Sequence, residues 1–99
     1  MEIQTFVMLI ERGKTYNKIN KVMVEKHVDN IKKLDDAGKL VLCGPTKGYP
    51  GVAGMIIFKA ESYDDAKTIC ESEPFVAEGY ANYKLFSLRE GNRDNNYLL

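Results

Sequence analysis

Three stretches of this chain are apolar on both faces when read as strands, and nothing else in it constrains the fold as strongly. In residues 3–10, Ile3, Val7 and Leu9 fall on one face and Phe6, Met8 and Ile10 on the other. The run is short, rich in apolar and β-branched residues, and closely followed by Gly13, which favours a strand over a helix. The same doubling recurs in residues 53–58 and 83–88. A lone antiparallel sheet in a small domain keeps one polar face toward water. Here both faces call for cover. Only two long amphipathic segments are available as helices, and they cover one side. A second copy of the sheet is the simplest cover for the other, so a homodimer is expected.

Between the strands the pattern changes to a helical one. Residues 11–20 read as a loop, and a first helix is expected over about residues 20–37, stopped by Gly38. Its inward stripe is read as Val24, Val28, Ile31 and Leu34. Residues 40–44 read as a short buried strand, and residues 44–54, with four glycines and two prolines, as an inter-strand loop. A third strand follows at about 52–59. Ser62, with Asp65 three places on, resembles a capping box for a second helix at 63–72, with Ala66, Ile69 and Cys70 inward. Pro74 breaks that helix and suits the first position of one short turn. The last strand is expected at 82–89. The order β-α-β-β-α-β defines an α+β, ferredoxin-like fold: an antiparallel sheet with two helices on one face. Residues 1–90 form that domain and residues 91–99 a C-terminal tail.

Ninety-nine residues allow one domain. Fourteen bases balance fourteen acids, which argues against a nucleic-acid partner. No apolar run reaches the length of a membrane span, and the start Met1-Glu2-Ile3 lacks the basic opening of a secretory signal. Two cysteines, Cys43 and Cys70, do not make a disulfide framework; both are expected to be free, buried core residues of a reduced, cytoplasmic protein.

His27 is the single histidine. At 100° per residue it lies about 60° from Val24 and about 40° from Ile31, inside the inward stripe. An inward imidazole is either a core side chain held by backbone or an acid–base group opening to a cleft. One histidine with two scattered cysteines lacks the clustered spacing of a metal site, so no metal is expected. No cofactor is implied either: Gly44-Pro45-Thr46-Lys47-Gly48 does not match a phosphate loop, and its glycines read as turn chemistry at a site mouth. Cys43, beside that turn, becomes a nucleophile candidate only if exposed and near a base. Arg12, Lys14, Lys18, Lys21 and Lys26 have one acid, Glu25, among them. They read either as a solvated loop or as an attractor for an anionic ligand, with Lys14 the binding candidate. Glu73 precedes Pro74-Phe75, but glutamate is not among the favoured helix caps, so capping alone does not account for it.

The run from His27 through Leu34-Asp35-Asp36-Ala37-Gly38-Lys39-Leu40-Val41-Leu42-Cys43-Gly44-Pro45, followed by Glu73-Pro74-Phe75-Val76-Ala77-Glu78-Gly79, resembles the YCII-related, YciI-like family over residues 2–90. The resemblance implies a dimeric α/β barrel built from back-to-back sheets. It also implies a cleft with a histidine and an aspartate acting on small, cyclic or aromatic molecules. Carried over singly, the histidine is His27, the Gly-Pro turn is Gly44 and Pro45, and the aromatic of the second motif is Phe75. The aspartate becomes Glu73, one methylene and about 1.5 Å longer. The leading expectation is a small-molecule enzyme with a lyase or isomerase step, His27 as acid/base and Glu73 fixing its tautomer. The alternatives are a non-catalytic ligand-binding or sensor module using the same cleft, and a purely structural dimer.

Overall fold

The computed structural model describes residues 2–99; Met1, the first residue of the expected domain, lies outside them. Four strands, β1 (Gln4–Arg12), β2 (Leu40–Pro45), β3 (Val52–Ala60) and β4 (Ala81–Leu88), form one sheet in the order β2-β3-β1-β4. Every pairing is antiparallel. Helix α1 (Lys21–Asp36) crosses from β1 to β2, and α2 (Tyr63–Ser72) with the short α3 (Pro74–Ala77) crosses from β3 to β4. This is the expected ferredoxin-like topology.

Local chemistry sets the boundaries. Asn20 caps α1 by accepting from the Met23 N–H at 3.0 Å, and Ser62 caps α2 by accepting from the Asp65 N–H at 3.1 Å. The end of α1 is a Schellman turn. The Gly38 N–H donates to the Asp35 carbonyl and the Lys39 N–H to that of Leu34, both at 2.9 Å. Gly38 accordingly sits at φ 73°, which a residue with a Cβ adopts at a cost. The tail folds back through reciprocal Asn92–Asn95 hydrogen bonds into a last turn at Asn96–Leu98.

The core lies between sheet and helices. Phe6, Met8 and Ile10 of β1 meet Ile56 and Phe58 of β3, and Ala66 and Cys70 of α2 close over them. Phe6 and Phe58 pair across the strands with ring centroids 6.1 Å apart. Burial of each such side chain contributes about 1.5–3 kcal/mol.

Two expectations fail here. The inward row of α1 is Met23 and Leu34 with half-buried His27 and Ile31 between them, while Val24 and Val28 are 44% and 42% exposed. The helix is turned by about one residue because it leans on α3 as well as on the sheet. The second failure is β2, which is not buried. It is an edge strand with β3 as its one neighbour, and it leaves Cys43 exposed.

The sheet face away from the helices carries Val7, Leu9, Leu42, Met55, Ile57, Phe86 and Leu88, aligned by the register of the four strands. Leu42 is 63% exposed and Phe86 and Leu88 are 46% exposed. Among the described residues, no helix is long and apolar enough to cross a membrane.

Candidate active site

A cavity of about 280 Å³ opens between α1, α3 and the β2–β3 end of the sheet. Ile10, Val28, Ile31, Ala53 and Ile56 make its walls apolar, and Tyr16, His27 and Phe75 add three rings. Gly44 and Pro45 border it, but as the last two residues of β2, paired with Met55 and Gly54 of β3, and not as the expected turn. Gly54 lies opposite Pro45 in the ladder, and a Cβ built there would come within 3.1 Å of the Gly44 carbonyl oxygen. Glycine at position 54 therefore lets β2 and β3 approach closely at this end of the ladder.

His27 reaches the cavity from the second turn of α1. Its imidazole lies flat on the Phe75 ring, centroids 4.3 Å apart and planes 8° from parallel. Its Nδ1 is hydrogen-bonded to Oε1 of Glu73. An ionised carboxylate only accepts, so a neutral imidazole paired with one in this geometry carries its proton on Nδ1 and keeps the lone pair on Nε2. Glu73 is 1% exposed, the one buried charged side chain among the described residues. It stands between α2 and α3 in an extended conformation, φ −62° and ψ 126°. That bend turns its side chain back over the start of α3. Oε2 accepts from the backbone N–H groups of Phe75, at 2.9 Å, and Val76, at 3.3 Å.

Glu73 therefore caps α3 after all. Pro74 at the first helical position has no N–H to satisfy, and the longer side chain reaches the next two donors with one oxygen while the other holds the imidazole. A buried carboxylate persists only when its lone pairs are occupied, and here both oxygens are. Cys70, on the last turn of α2, lies outside this cavity. Burial, with the carboxylates of Glu71 and Glu73 adding, pushes its thiol from 9.0 up to about 12. It is an inert core residue.

Of the expected site residues, His27, Glu73, Gly44, Pro45 and Phe75 come together here. Lys14 does not: it is exposed on the loop after β1 and lines no part of the cavity. Neither do Arg12, Lys18, Lys21 and Lys26, and the Lys26 ammonium pairs instead with Glu78 at 3.4 Å. These bases form a solvated surface. Cys43, expected in the core, lines the cavity from β2. Among the lining residues that sequence reasoning misses, Tyr16 is the one that carries a polar side-chain group. The signal available is an aromatic residue between Thr15 and Asn17 in a largely polar loop. Among the described residues, no group of three or more His, Cys, Asp or Glu side chains could hold a metal ion.

The family model of the YCII-related domain matches residues 5–89. Comparison with curated proteins finds no match. Among solved structures, the chain is similar to 5-chloro-2-hydroxyhydroquinone dehydrochlorinase from Burkholderia phenoliruptrix AC1100, in complex with 2,5-dihydroxybenzoquinone. The TM-score is 0.73 at 19% identity, covering 88% of this chain and 95% of that one, which establishes a shared fold. A dimeric ferredoxin-like protein of unknown function from Thermobifida fusca YX is more distant, with a TM-score of 0.45 at 14% identity over 87% of this chain and 91% of that one.

Proposed function

The chain belongs to the YCII-related domain family, and on that premise we propose that it is a small-molecule enzyme in which His27 is the general acid and base. The observation that carries this reading is the pairing of His27 Nδ1 with the buried Glu73 carboxylate beside the cavity. Glu73 holds the imidazole in one tautomer, so Nε2 is the atom free to take a proton from a ligand C–H or O–H. The imidazolium formed is stabilised by the adjacent carboxylate. Returning the proton at another ligand atom completes an isomerisation. Departure of a leaving group with its bonding electrons instead completes an elimination. Acid–base assistance of this kind is worth about 10²–10⁴-fold in rate.

Apolar walls and an imidazole held in place by its stack on Phe75 suit a small cyclic ligand beside His27, with Gly44 and Pro45 at its edge. Because none of the lining residues is a lysine or arginine, the ligand in this proposal is a ring and not an anion held by a cation. The dehydrochlorinase shares the fold alone, and its substrate serves to start the search. The proposal includes a homodimer closing the open sheet face, and a cytoplasmic setting in keeping with two free thiols.

The deciding experiment is turnover of hydroxylated and halogenated aromatic rings, beginning with 5-chloro-2-hydroxyhydroquinone, by the wild-type chain and by His27→Gln. A rate that falls about 100-fold or more in the variant, with ligand affinity retained, supports the proposal. Ring ligands that bind beside His27 and are never converted would make the protein a binding module.

A further inference from the structure

Three of the side chains lining the cavity carry a group that can give or take a proton: Tyr16, His27 and Cys43. Tyr16 and His27 are built around one platform. His27 stacks on the face of Phe75, and Tyr16 meets the same ring edge-on, with centroids 6.0 Å apart and planes at 77°.

The loop that carries Tyr16 is pinned to that platform through the backbone. The Gly13 N–H donates to the Tyr80 carbonyl at 2.9 Å, and the Tyr80 N–H donates to the Phe75 carbonyl at 2.9 Å. Gly13 must be glycine for this approach, since a Cβ there would lie 2.6 Å from the Tyr80 oxygen. The Tyr16 N–H then returns to the Gly13 carbonyl at 3.2 Å, and the Arg12 guanidinium lies 5.6 Å from the Tyr16 ring centroid. Backbone bonds, an edge-on ring and a cation thus fix a phenol on the wall of an apolar cavity.

From this geometry we propose that Tyr16 is a specificity-determining residue, its hydroxyl donating a hydrogen bond to an oxygen substituent of the ring that His27 serves. The inference rests on the reading of the cavity as a site for a small ring, and it narrows that class to oxygen-bearing rings such as phenols and enols. A phenol donor answers a ligand oxygen at a cost in affinity to any ring that lacks one, because its hydroxyl would then be covered without a partner.

Phenol and toluene form a matched pair of probes, nearly equal in size and differing in one oxygen. Their affinities for the wild-type protein and for Tyr16→Phe are read from backbone amide shifts in NMR titrations. That variant keeps the ring packed on Phe75 and removes only the hydroxyl. The expected result is that the wild type binds phenol more tightly than toluene, and that the variant loses about tenfold in phenol affinity while toluene is unchanged or gains. Equal phenol affinity in the two proteins overturns the role of Tyr16 and leaves the ring-binding reading standing. An equal loss for both probes overturns it as well, because the hydroxyl then matters to structure and not to selection. Failure of both probes to shift the cavity's residues in the wild type overturns the ring-binding reading itself, and the Tyr16 role with it.

Discussion

The imidazole of His27 and the ring of Phe75 lie face to face, 4.3 Å between centroids and 8° from parallel. Phe75 is also buried in the core, so one side chain both supports the fold and orients the imidazole. Phe75→Leu keeps the backbone N–H that Glu73 needs and removes the flat surface. It should cost about 1–2 kcal/mol in denaturant unfolding. The His27 ring protons should move downfield as the ring current of Phe75 disappears. Unchanged His27 shifts in a folded variant would contradict the stack.

Glu73 divides its two oxygens between His27 and the start of α3. Glu73→Ala strands two backbone donors and the imidazole together, and should destabilise by about 2–4 kcal/mol. Glu73→Asp keeps a good cap but shortens the arm, so it should retain most of the stability and lose the hold on Nδ1. Long-range proton–nitrogen correlation spectra distinguish the two jobs. The neutral wild-type ring should be protonated at Nδ1, and Glu73→Asp should shift the proton toward Nε2 while α3 remains folded.

These two residues also show where the sequence was legible. Helix α2 begins and ends as expected, because Ser62 and Pro74 act on their immediate neighbours. The β-α-β-β-α-β succession follows from the alternation of strand and helix patterns along the chain. The inward position of His27 follows from helical spacing, which fixes a face to within about one residue. That tolerance is why the spacing points to Val24 and Val28 while Met23 takes the buried position. Whether a strand is central or at an edge depends on partners far along the chain, so the exposure of Cys43 on β2 was not readable. Tyr16 and Lys14 share a loop with no periodicity, and the long-range contacts that place Tyr16 at the cavity, the Gly13–Tyr80 backbone bond and the edge-on Phe75 ring, are not written in that loop.

Alkaline pH should unfold this protein in a way traceable to two neighbours. Burial raises the Cys70 thiol from 9.0 to about 12, with Glu71 and then Glu73 adding. Desolvation, then the 3.0 Å hydrogen bond that its hydroxyl donates to Glu71, raises Tyr83 from 10.0 to about 12. Both groups bind their protons more tightly in the folded chain than in the unfolded one. Their contribution is therefore complete below about pH 9 and is lost as the pH climbs toward 12. Chemical denaturation should give a level midpoint up to about pH 8.5 and a falling one above it. Glu71→Gln, which removes a charge from beside both groups, should flatten the fall. A slope identical in that variant would assign the alkaline loss to other groups.

The two thiols should report the fold separately. Cys43 is exposed at the cavity mouth and Cys70 is fully buried. A thiol reagent at neutral pH should modify one equivalent quickly, and the second only at the rate of unfolding or after denaturant is added. Ligands occupying the cavity should slow the fast reaction, since Cys43 lines it. Mass mapping that placed the fast label on Cys70 would refute the packing of α2 on the sheet.

The open sheet face makes the last prediction. Val7 is buried there by its neighbours alone, while Leu42, Phe86 and Leu88 remain exposed around it. Lys84 and Lys59, opposite Leu9 and Thr5 in the ladder, give this apolar face a polar border. A monomer leaves such a patch to water, whereas a standard interface of about 1,600 Å² between two copies would remove it. Sedimentation equilibrium at micromolar concentration should therefore give twice the 11.2 kDa chain mass. In a two-fold pair the same face meets itself, so each substitution enters the interface twice. Phe86→Lys should thus bring two buried charges close together and weaken association by about 100-fold or more. Because Phe86 points away from the helix-side core, the variant should keep its helical circular dichroism and its His27–Glu73 pair. A wild-type chain that sediments as a monomer, or a Phe86→Lys variant that stays dimeric, would show that this face is not where two copies meet.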